Sequence, residues 1–188
     1  MDPFSTLGLP HLLKVGEGDI ETVVNGLLKT AHPDAGGDEE EFARIREAGR
    51  LLQSPADRIK AAIALAGGDP SDRGSVSGEV MDFFSPVAGV LEETAGFVKE
   101  RRKAVSGLGK AVLDVRVPAL KKKLESLTAG LMDLEKRQLA LFEEIDTRGW
   151  GNSLEEMGEV FRTLRFLEKW LAQLREATGK IFEALLAG

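Results

Sequence analysis

The chain has 188 residues, 43% hydrophobic and 30% charged, enough for one generous globular domain or two small ones. It holds no cysteine and two histidines, His11 and His32, which excludes disulfides, thiolate ligands, a cysteine nucleophile and a histidine-rich metal site, so neither metal nor cofactor is expected. The net charge of -6 argues against a nucleic-acid partner that needs a basic surface; no apolar run approaches the roughly 18 residues of a membrane span, so no membrane partner is expected.

Strand signals are almost absent, since there is no tyrosine and no useful alternation of apolar and polar residues, and the fold class expected is all-α. Met1-Asp2-Pro3-Phe4 lacks the basic and then apolar opening of a signal peptide, which makes a cytoplasmic address the expectation. Asp19 is placed to cap a helix whose apolar positions Ile20, Val23, Val24, Leu27, Leu28 and Ala31 share one face. That helix should stop at His32-Pro33, because proline disfavours helical geometry in the residue before it. After a turn at Asp34 to Gly37, Asp38 and Glu41 have capping-box spacing, and Phe42, Ile45, Ala48, Leu51 and Leu52 line the next helix. Ser54-Pro55 opens a further helix through about Ala66.

Residues 68–82 are rich in glycine, serine and charge, and we read them as a linker between a first domain, 1–67, and a second, 83–188. In the second, Ser85-Pro86 has the form of a helix start, followed by an apolar stripe from Val87 to Val112. Leu113 to Ile145 gives another stripe of nearly heptad regularity, with Pro118 starting or kinking its helix. Gly149 to Asn152 breaks the chain, and Ser153 with Glu156 repeats the capping-box spacing before a last helix to about Leu186. Three long helices imply an antiparallel bundle. Such stripes ordinarily form core, and the charge runs at Glu39 to Glu41, Lys99 to Lys103 and Lys121 to Lys123 ordinarily form solvated faces.

His32-Pro33-Asp34 is by itself a common kind of turn sequence. Preceded by DPFSTLGLP and set within KTAHPDAGGDEEEFARIREAGRLLQSP, it resembles the J domain over roughly residues 1–66. The resemblance implies a chain that catalyses nothing itself and is not an enzyme. It implies docking of the loop and the preceding helix on a DnaK-type heat-shock chaperone, with stimulation of the chaperone's ATPase. Asp34 would offer a carboxylate to a chaperone arginine, His32 and Pro33 would shape the loop, and Lys29 would supply positive charge. The sequence departs from the pattern in its second helix, where Lys29 is the one cation against Asp19 and Glu21, and in Ala31, Ala35 and Gly49, which stand where other residues are usual. Arg44, Arg46, Arg50 and Arg58 are candidates to replace the missing charge.

A J domain, a linker and a carboxy-terminal three-helix bundle together resemble the HscB family, co-chaperones of iron-sulfur cluster assembly. Thr163 to Lys169 and Ser54 to Arg58 carry the resemblance most closely. It implies HscA-type chaperone and iron-sulfur scaffold protein as partners, with a hydrophobic patch on the bundle that receives the scaffold. Phe166 matches the patch, and Met81, Phe83, Phe84 and Val87 form the counterpart region on the first bundle helix. On the last helix Phe166 lies roughly 120° from the centre of the apolar face, with Trp170 extending the same ridge. A J-like adaptor with another client and weakened chaperone coupling is the alternative. An enzyme is the poorest reading, because only His32 offers an imidazole base and its turn supplies no evident nucleophile.

Overall fold

A computed structural model of the protein describes residues 1–32, 34, 36–71 and 73–187, of which 81% are helical and none lies in a strand. The all-α expectation holds. The chain divides into two compact units, Met1–Val76 with Arg137–Leu164, and Ser77–Lys136 with Arg165–Gly188.

The first unit opens with α1, Pro3–Leu7, whose start is fixed by the Asp2 carboxylate accepting the Phe4 and Ser5 N–H groups at 3.0 and 3.2 Å. Next come α2, Glu17–Ala31, and α3, Glu39–Gln53, which pack against each other and against α1. Asp38 caps α3 as its spacing predicts, accepting from the Glu40 and Glu41 N–H groups. Asp19 does not cap α2: the helix begins earlier, with Gly16 as its N-cap, and Asp19 lies inside the first turn. The faces read from periodicity meet in one core of Phe4, Leu7, Ile20, Val24, Ile45, Ala48 and Leu52. Ser54 caps α4, Pro55–Leu65, by accepting the Asp57 N–H at 3.0 Å.

The stretch between α1 and α2 is pinned by two charged residues distant in sequence. Arg58, 4% exposed, donates from Nη1 to the carbonyls of Leu13 and Val15 at 2.9 and 3.0 Å and from Nε to that of Leu52 at 2.8 Å. From the other side, Asp146 accepts the N–H groups of Leu13 and Lys14, both at 2.9 Å, and the indole N–H of Trp150, also at 2.9 Å. Leu13 itself is fully buried, so its backbone could not otherwise be solvated.

The second unit is built from α5, Gly78–Lys103, the short α6, Gly107–Asp114, and residues of α7, Val117–Arg148, and α8, Leu154–Leu186. Two local readings are corrected. Pro86 lies inside α5 and does not open it, since the helix has already begun at Gly78 and buries Val80 completely. That burial outweighs the N–H that proline withholds from the turn before it. Ser153 stands before α8, but its hydroxyl finds no hydrogen-bond partner among the described residues, so the second capping box does not form. Val87, Val90, Phe97, Leu120, Leu124, Leu131, Leu167, Leu174 and Ile181 are core positions of this unit.

Candidate functional site

Two exposed features carry the residues singled out by the sequence, one in each unit. The first is the turn after α2. His32 is the C-cap of that helix, and its Nδ1 accepts the Asp34 N–H at 3.1 Å, which leaves the ring proton of the neutral imidazole on Nε2. The Phe42 ring stands edge-on to the imidazole at 5.3 Å, holding it from the α3 side. Periodicity reads Phe42 only as lining its own helix, and in the fold it supports the turn as well. The His32 carbonyl accepts the Gly37 N–H at 3.1 Å. Gly37 is required by space: a Cβ there would come 2.3 Å from the Ala31 carbonyl. The Asp34 carboxylate is left 93% exposed, 3.7 Å from Nδ1, and open to solvent. Pro33 and Ala35 lie outside the described residues.

The helix α2 that leads into this turn is net acidic, with Lys29 its one cation against Asp19 and Glu21. Lys29 is exposed near its end, together with Asp19, Glu21, Thr22, Asn25 and Thr30. The Thr22 and Thr30 hydroxyls donate to carbonyls of their own helix, Gly18 and Leu27, at 2.7 and 2.8 Å. Of the arginines expected to replace the missing charge, Arg58 is unable to do so because it is buried on backbone carbonyls. Arg50 is engaged by Glu47 and Asp57, and its hydrogen bond holds the Glu47 carboxyl below the usual carboxylate range. Arg44 and Arg46 remain exposed on α3, with Arg46 over the Phe42 ring.

The second feature is a cluster of rings where α5 and α8 meet within the second unit. The Phe84 ring lies 5.2 Å from Phe166 and 4.7 Å from Trp170, both edge-on, and Phe166 and Trp170 are 5.5 Å apart. The structure brings these three together from positions far apart in sequence. It divides them by exposure: Phe84 is 40% exposed and Phe166 half-buried, whereas Trp170 is 6% exposed. Trp170 therefore supports the ridge from below and does not extend it at the surface. Val87 is likewise a core position, and Phe83 is half-buried, its ring seated on Gly130 of α7. Met81, exposed one turn before Phe84 and Ser85, continues the apolar surface on α5. What the arrangement can do is present a pre-packed apolar patch to another protein.

Among the described residues no group of three or more His, Cys, Asp or Glu side chains could hold a metal ion, and no helix is long and apolar enough to cross a membrane. No protein-family model matches the chain, and no curated protein matches it in sequence. In three dimensions the chain is similar to the chaperone HscB from Vibrio cholerae, with a TM-score of 0.61 and 15% identity, over 96% of this chain and 99% of that one. The resemblance read from the J-like segment and the helices after it thus extends to the fold from end to end.

Proposed function

We propose that this protein is a co-chaperone that binds an iron-sulfur cluster scaffold protein and presents it to a DnaK/HscA-type chaperone, stimulating the chaperone's ATPase and catalysing nothing itself. In this reading residues 1–67 act as the J domain, 68–82 as the linker and 83–188 as the client-binding bundle. The observation that carries the proposal is the fold likeness over nearly the whole of both chains, combined with a His32–Asp34 turn that leaves its carboxylate in solvent.

Lys29, His32, Pro33 and Asp34 form the chaperone side. His32 holds the Asp34 backbone through Nδ1 and leaves the carboxylate free to meet an arginine of the chaperone in a charge-assisted pair. Phe84 and Phe166 are the contact residues of the scaffold side, with Phe83, Val87 and Trp170 holding them in place. A partly exposed ring cluster at the centre of an interface is the usual location of a binding hot spot.

A second reading is favoured by one observation, the net acidic character of α2. With Lys29 as its one cation, steering toward an acidic chaperone surface is weak, as in a J-like adaptor with a different client. One experiment separates the readings: chaperone ATPase measured with and without scaffold protein, alongside scaffold binding by calorimetry. The chain should stimulate turnover. Asp34→Asn should lose at least tenfold of that stimulation, the order expected for one lost charge-assisted contact, and keep scaffold affinity. Phe166→Ala should do the reverse. A chain that neither stimulates the ATPase nor binds scaffold is not the proposed co-chaperone.

A further inference from the structure

Positive charge is concentrated in one part of this acidic chain. From Lys99 to Lys123 there are nine lysines and arginines and two acids, a local net of +7, which leaves -13 on all other residues. Both acids are engaged at home: Arg101 donates from Nε to Asp114 at 2.7 Å, and Arg116 from Nη1 to Glu100 at 2.6 Å. Lys123 is paired with Glu93 at 2.6 Å, and Lys121 sits 4.1 Å over the Phe182 ring. Lys99, Arg102, Lys103 and Lys122 are exposed and Lys110 half-buried; Lys99, Arg102 and Lys103 share a groove with Glu176, Lys180 and Glu183 of α8, where Lys180 already pairs with Glu176.

The same stretch carries four strongly exposed aliphatic side chains. Val105, Leu108, Val112 and Val115 range from 64% exposed at Val112 to 98% at Val105. Leu108 and Val112 are one turn apart on α6, and Val115, still of helical backbone, falls on the same face. The helix buries no residue of its own. It is an amphipathic turn whose apolar side faces solvent.

We infer that α6 and the end of α5 form a peripheral docking surface for an anionic lipid headgroup layer, with Val105, Leu108, Val112 and Val115 entering the headgroup boundary and the basic side chains meeting the lipid charge. The composition favours lipid over the alternatives. Protein interfaces are depleted in lysine and enriched in aromatic residues, whereas this surface is rich in lysine and Val105 to Arg116 contains no aromatic. Single-stranded nucleic acid would be met by charge together with rings for base stacking, and Val105 to Arg116 offers no ring. Aliphatic side chains flanked by lysine and arginine are what an interfacial helix uses. The expectation of no membrane partner rests on the lack of a spanning run, which bears on crossing a bilayer and not on lying at its surface. This inference is independent of the co-chaperone reading.

The test is flotation of the full chain with unilamellar vesicles of phosphatidylcholine and phosphatidylglycerol, or of phosphatidylcholine alone. Binding is expected to the mixed vesicles at low salt, at least about tenfold stronger than to the neutral ones. Arg102→Gln with Lys103→Gln should weaken it by about 25-fold, roughly fivefold for each charge. Leu108→Ser with Val112→Ser alters only exposed side chains and should weaken binding by about tenfold at unchanged helicity. Failure of the intact chain to bind mixed vesicles at low salt overturns the proposal. So does a Leu108→Ser, Val112→Ser variant that binds them as well as the parent, or tighter binding to duplex DNA than to the vesicles, because charge alone would then account for the surface.

Discussion

The segment that leads into α2 and the turn that leaves it both depend on charged side chains, but they use them in opposite directions. At Leu13–Val15 the charges point inward: Arg58 and Asp146 meet the backbone from two sides, and neither is offered to a partner. At His32–Asp34 the backbone is fixed by neutral groups, the imidazole and the Phe42 ring, and the carboxylate points out. Charge turned inward holds the fold, and charge held outward by a neutral scaffold is available for recognition. The difference implies that damage to the first site should appear as lost stability and damage to the second as lost activity.

The largest effect is expected at Arg58. Arg58→Met keeps most of the volume but takes the guanidinium donor from the Leu13, Val15 and Leu52 carbonyls, of which Leu13 keeps the Val15 N–H at 2.9 Å, and each buried acceptor left unsatisfied costs about 1–3 kcal/mol. Chemical denaturation should show a loss of at least about 2 kcal/mol. A loss below about 1 kcal/mol would mean that water enters and takes over the carbonyls, and the contrast between the two regions would collapse.

A smaller effect is expected at Asp2, which sharpens the comparison by titration. Partial burial pushes this carboxyl up, but hydrogen bonds from the Ser5 hydroxyl and from His11, the Ser5 N–H and the charge of His11 outweigh it and hold the value down to about 2. A depressed carboxylate binds fewer protons folded than unfolded, so it stabilises the fold above its unfolded value near 3.8 and loses that contribution as pH falls through about 2. Asp2→Ala should cost about 1 kcal/mol at neutral pH, as for a lost cap. Melting temperature of the variant should also lose the parent's slope across that acid window, and an unchanged slope would assign it to other carboxylates.

The smallest effect on stability belongs to Asp34. Asp34→Asn should leave unfolding free energy within about 0.5 kcal/mol, the range of exposed substitutions, while ATPase stimulation falls. A marked drop in melting temperature would show that the outward carboxylate also holds the turn.

The same contrast explains what was legible in the sequence. Helices with a cap and a clear apolar face were readable, as Asp38 and Ser54 show, because both signals are local. Arg58 was not, since a charged side chain read along a helix is assigned to solvent, and its backbone acceptors at Leu13 and Val15 are distant in sequence. Trp170 failed for a related reason: the wheel of its own helix places it beside Phe166, and only the position of Phe84 on another helix decides that one ring is covered and the other is not. Pro86 was read by a local rule that the burial of Val80 overrides. The His32–Asp34 turn was legible by motif, while the neutral means by which its carboxylate is held, Phe42 and the imidazole nitrogen, required the fold.

Gly130 shows how the ring patch could change without any contact residue changing. A Cβ at this position would come 3.0 Å from Cε1 of Phe83, the neighbour of Phe84 on α5. The glycine therefore sets how deeply one member of an adjacent aromatic pair is seated, and with it the height at which the other meets solvent. Substitution there would retune the patch from beneath. Two versions of this protein with identical surface residues could thus differ in partner preference, and a comparison restricted to residues at the interface would miss the position responsible.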